Sequence, residues 1–112
     1  MNLVEMDALV RRGMARAGLG DDEALNALVL ELRPVVAETV PKYLQQMGAG
    51  GYGHVEECVR EAVVGLYEAL ILWDPKREHF AEMLDRRIRM RLAAFFLRLR
   101  DLKKDIEEVA KV

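Results

Sequence analysis

The sequence predicts an all-α fold, a small orthogonal helical bundle of about four to five helices. Three observations lead there. Apolar residues recur at intervals of three and four along almost the whole chain. Glycine, proline and aspartate gather at a few points that cut this pattern into segments, and no strand pattern intervenes. The length of 112 residues suits one modest core and not two.

In the first segment, Asn2 to Ala17, the apolar positions Leu3, Met6, Leu9, Val10 and Met14 share one helical face. Gly18 and Gly20 should end it, because glycine tolerates a left-handed cap. This N-terminal helix, residues 1–20, and the helical body, residues 21–112, are expected to form a single compact domain. Asp21 and Asp22 supply an N-cap and negative charge where the second helix begins. Leu25, Leu28, Val29 and Leu32 carry its buried face onward to Val35, Val36, Val40, Tyr43 and Leu44. Pro34 and Pro41 each remove a backbone donor, so a break or kink is expected near each.

A glycine-rich stretch from Gly48 to Gly53 happens to spell G-x-G-x-x-G. The dinucleotide fingerprint needs a preceding strand and a βαβ unit; here a helix precedes it, and a helix–helix connector is the better reading. The third helix should run from about Val55 to Trp73 with Val59, Ala62, Val63, Leu66, Leu70 and Trp73 inward. Glu57, Glu61 and Glu68, with Arg60 alongside, then fall on the opposite, polar side. Gly65 in mid-helix points to a close approach by another helix. Asp74 before Pro75 stops this helix. The last helix, about Phe80 to Val109, has one stripe of Leu84, Ile88, Leu92, Phe95, Leu99, Leu102 and Ile106. Arginines line both borders, while Met90, Phe96 and Leu97 lie outside the stripe.

Net charge is only −2, which excludes a global pull toward polyanions. Locally the balance differs: residues 76–104 hold ten Lys or Arg against four Asp or Glu. The single cysteine, Cys58, rules out an internal disulfide and suits a cytoplasmic protein. No apolar run reaches the roughly 18–20 residues of a membrane span, and Asp7, Arg11 and Arg12 interrupt anything like a signal peptide.

Catalysis finds little support. His54 and His79 stand in different loops without zinc-ligand spacing, serine is absent, and Cys58 has no cationic neighbour in sequence. The expectation is a protein that is not an enzyme and uses no cofactor or metal. The arginine-rich helix is a plausible phosphate-binding surface, because guanidinium forks suit phosphate.

The stretch Glu57 to Arg98, with Gly65-Leu66, Ala69, Trp73-Asp74-Pro75, Arg77, Phe80 and Ile88-Arg89 in that order, resembles region 2 of the sigma-70 family of bacterial transcription initiation factors. Upstream, Leu32 to Leu44 is similar to that family's R-x-L-V-x-x-x-A-x-x-Y helix. The resemblance spans roughly Asp22 to Arg100 and implies a sigma-factor region-2-like bundle that docks on the β′ clamp helices of RNA polymerase core. Carried over, Glu57, Arg60 and Glu61, with Glu68 on the same helix, become polymerase-binding candidates. Contact with promoter −10 DNA would fall to Arg86, Arg87, Arg89, Met90, Arg91, Arg98 and Arg100. The family's S-T-Y-A segment is replaced by Ala81, Glu82, Met83 and Leu84, a poor platform for stacking on flipped bases. A second polypeptide would have to supply −35 recognition. Arg60→Glu with Glu61→Lys is expected to abolish polymerase binding and spare the fold. The alternative is a helical protein–protein interaction module or homodimer through Phe96, Leu97 and Met90, touching neither polymerase nor DNA.

Overall fold

Asn2 starts the first helix: its carboxamide oxygen accepts the Glu5 amide at 2.8 Å while its NH2 donates to the Glu5 carboxylate at 2.7 Å. The computed structural model describes residues 1–18, 20, 22–48 and 54–111. Among these it is an all-α bundle of four helices without a strand: α1 (Leu3–Ala17), α2 (Asp22–Gln46), α3 (Val55–Leu72) and α4 (Phe80–Ala110). The expected Asp21 cap and most of the glycine-rich stretch, residues 49–53, lie outside the described residues.

Met6 and Val10 of α1 enter the same core as Leu28, Leu32 and Val36 of α2. Gly18 keeps right-handed geometry, and the positive φ of 88° falls on Gly20 instead. The break expected in the second helix does not occur. α2 runs 25 residues without interruption past Pro34 and Pro41. Both prolines are exposed, so the carbonyls of Leu30 and Ala37 that lose a partner sit on the outward side, where water can serve them.

The Trp73-Asp74-Pro75 stop behaves as its chemistry requires. Trp73 swings to extended geometry (φ −64°, ψ 129°), and the Asp74 carboxylate accepts the Lys76 amide at 2.9 Å. The Trp73 indole donates to the Glu78 carbonyl at 2.9 Å and meets Phe80 edge-on at 5.4 Å. That clamp brings α4 back antiparallel along α3, so Glu68 meets Arg87 near the turn and Glu61 meets Arg98 farther out.

The inner face of α3 is Cys58, Ala62, Gly65, Leu66, Ala69 and Leu70; Val59, Val63 and Trp73, expected in the core, are only partly buried. Small side chains let the two helices approach closely. A Cβ on Gly65 would stand 3.3 Å from the backbone of Arg87 and Ile88. On α4 the core ends early. Phe80, Met83, Leu84, Ile88 and Leu92 are buried, whereas Leu102 and Ile106, expected in the stripe, are 57% and 60% exposed. The reason is length: α3 has 18 residues and α4 has 31, so α4 outruns its cover. The overhang accounts for the elongated shape, 57 × 28 × 24 Å.

Candidate functional site

The packing of α3 on α4 decides which charges face solvent. Because the small residues turn inward, Glu61 and Glu68 land on the flank that meets α4 and not on the far side as the sequence predicts. Glu61 lies 3.2 Å from Arg91 and 3.0 Å from Arg98. Glu68 lies 3.6 Å from Arg91 and 3.9 Å from Arg87. These two expected polymerase contacts are therefore occupied within the molecule. Glu57 and Arg60 remain exposed.

Beside Glu57 and Arg60 the outer face of α3 carries three residues that sequence reasoning missed. Val64, Tyr67 and Ile71 are 40%, 36% and 76% exposed. Residues 57, 60, 64, 67 and 71 follow steps of three and four, so they form one continuous strip. The signal was present in the sequence: two apolar stripes on one helix, of which one helix–helix contact can bury only one.

The arginines expected to touch DNA are all drawn into contacts inside the molecule. Arg86 forks onto Glu78 at 2.9 and 2.7 Å and holds that carboxyl below its usual range. Arg89 binds Asp85 at 3.0 Å and Gln46 at 2.8 Å, and lies 4.7 Å over the Tyr43 ring. Arg87, Arg91 and Arg98 take the α3 carboxylates described above, and Arg100 stands 3.7 Å from Asp101 with both largely exposed. Met90 is 54% exposed, on an open groove of about 630 Å³ shared with Leu3, Ala81 and Glu82. A sum of charges along one helix does not register carboxylates delivered by another. The expected patch of Met90, Phe96 and Leu97 also shrinks, since Phe96 packs on the core and edge-on to Phe95.

Two polar clusters position these surfaces. The Tyr43 hydroxyl donates to Asp85, and burial, with the hydrogen bond and charge of Asp85, pushes the phenol above its usual range. His79, which the sequence presents as an isolated loop residue, meets Asp7 of α1 through Nδ1 at 2.7 Å. The other Asp7 oxygen accepts the Phe80 amide at 2.7 Å, so α1 supplies the carboxylate that caps α4. Burial raises the Cys58 thiol, as do the charges of Glu57 and Glu61, which disfavours the thiolate. No cluster of His, Cys, Asp or Glu among the described residues is arranged to hold a metal ion. No described helix is long and apolar enough to cross a membrane.

Comparison with protein-family models, with curated proteins and with solved structures finds no match to this chain.

Proposed function

We propose that this chain is a sigma region-2-like transcription protein that docks on RNA polymerase core, at the β′ clamp helices, through the outer face of α3. One observation carries the reading: Val64, Tyr67 and Ile71 stand in solvent in line with exposed Glu57 and Arg60. An apolar strip at steps of three and four, headed by charge, is what a helical partner needs to pack against. Its position matches the helix that the sigma resemblance assigns to polymerase. Glu61 and Glu68 are engaged by arginines of α4 and are not contacts in this reading.

Promoter contact takes a reduced form. Arg100 has a side chain 71% exposed and retains free N–H groups for phosphate. The reading needs no catalysis and no cofactor.

The test is competition for purified polymerase core between this chain and a β′ clamp-helix fragment. Glu61→Lys is unsuitable in it, because a lysine there would face Arg91 and Arg98. Arg60→Glu with Tyr67→Ala leaves the core untouched and should weaken binding by at least about thirtyfold, the scale of an interface anchor. Unaltered binding, or none by the parent chain, sinks the docking assignment.

A second reading is favoured by the overhang of α4. Leu102, Ile106 and Val109 are 57%, 60% and 75% exposed, which suits an interaction module that never meets polymerase. Sedimentation at micromolar concentration separates the two: a self-associating chain that ignores polymerase supports the second.

A further inference from the structure

The contacts of Glu61 and Glu68 differ in kind from the Arg86–Glu78 pair. Arg86 and Glu78 form a two-pronged fork, with both separations below 3 Å. Between α3 and α4, three guanidiniums share two carboxylates, and three of the four separations exceed 3 Å. One oxygen of Glu61, one of Glu68 and the Nε of Arg91 are buried and have no hydrogen-bond partner. Such pairs hold helices together weakly, and this contact has little need of them. Ala62, Leu66 and Ala69 already bury their side chains there, and Gly65 sits against the α4 backbone.

The arrangement is also unbalanced. Arg87, Arg91 and Arg98 bring three positive charges to two negative ones. Their side chains remain 27%, 35% and 58% exposed, so each head group has a route to solvent. A row of arginines on one helix flank, with a pair of carboxylates lying across it, has the charge pattern of a phosphate-binding surface that is already filled.

We propose that Glu61 and Glu68 are an internal mask: they occupy the guanidiniums of Arg87, Arg91 and Arg98 and so withhold them from nucleic-acid phosphate. The device keeps an arginine-lined flank of α4 from binding polyanions indiscriminately. It is independent of polymerase docking, because the masked flank of α4 is not the outer face of α3, and its test contains no polymerase.

The probe is a single-stranded oligothymidylate, titrated against the whole chain over a range of salt. In Glu61→Gln with Glu68→Gln the side chains keep their size and lose their charge. Three released arginines should steepen the dependence of log affinity on log salt by about 2, at roughly 0.7 per phosphate contact on a single strand. Between about 50 and 200 mM salt the variant should thus lose about twentyfold more affinity than the parent. Glu31→Gln with Glu38→Gln removes two exposed carboxylates of α2 that take no part in these pairs, and should leave the slope at the parent value. Adding Arg87→Gln, Arg91→Gln and Arg98→Gln to the unmasked chain should cancel the gain. Helix content by circular dichroism confirms folding. Should the double variant unfold, Glu68→Gln alone, which breaks only the two longest contacts, must still steepen the slope. An unchanged slope in the folded variant overturns the proposal, and so does an equal gain from the α2 substitutions.

Discussion

Gly65→Ala tests the packing on which the interaction surfaces depend. In a helix that made no contact at this position, alanine would stabilise by about 1 kcal/mol. Here the new Cβ would lie 3.3 Å from the carbonyl carbon and oxygen of Arg87 and from the amide nitrogen of Ile88. These are backbone atoms of a packed helix, which cannot rotate aside. The helices must part by a few tenths of an ångström, loosening the core that Leu66, Ile88 and Leu92 share, and overpacking of this sort costs roughly 1–3 kcal/mol. The net expectation is destabilisation of about 1 kcal/mol, or about 4 °C in Tm for a chain of this size. Gly13→Ala provides the contrast. The atoms nearest its Cβ would be side-chain carbons of Leu28, the closest at 2.8 Å, and the end of a leucine can turn away. That variant should stay within about 1 kcal/mol of the parent. Urea unfolding followed by circular dichroism measures both. A Gly65→Ala chain as stable as the parent, or more so, would refute the close approach of α3 and α4.

Three further outcomes are expected. Burial alone would raise the Asp7 carboxyl, but the Phe80 amide, His79 and Arg11 together hold it below its usual range. Its contribution to stability is therefore complete above the unfolded value of about 3.9 and is lost as pH falls through the folded one. Asp7→Asn should cost about 1–2 kcal/mol at neutral pH and flatten the acid limb of a stability–pH curve; an unchanged limb would disprove the cap. The raised Tyr43 phenol has the opposite sign: its contribution is whole below pH of about 10 and is lost as pH rises through the folded value. Tyr43→Phe should cost about 1 kcal/mol and remove that alkaline loss, as urea unfolding across pH would register. Leu102→Gln with Ile106→Gln should change stability by no more than about 0.5 kcal/mol per site, and a much larger loss in thermal melts would mean that the overhang is covered.

Helix number, helix ends and most inward residues were legible in the sequence because they depend on local chemistry. Asp74 before Pro75, Gly18 and Gly20, and the spacing of Leu28, Leu32 and Val36 act through the backbone of their own segment. The continuity of α2 was not legible. A proline's effect depends on whether its freed carbonyl reaches water, and that depends on which way the helix is turned. The candidate site divides along the same line. Arg60 and Glu57 were placed outward correctly by periodicity, whereas Glu61 and Glu68 sit at the margin of the polar arc, where a modest roll of α3 sends them to α4.

By itself the sequence determined an all-helical chain, the segments that form the helices and the order in which charged and apolar faces alternate, since each follows from residues within a few positions of one another. Only the tertiary structure decided that Asp7 caps a helix 73 residues away, that α4 outruns its cover, and that its arginines are already engaged. Those outcomes rest on distances between segments remote in sequence, and on the closeness of approach that Gly65 and its small neighbours allow.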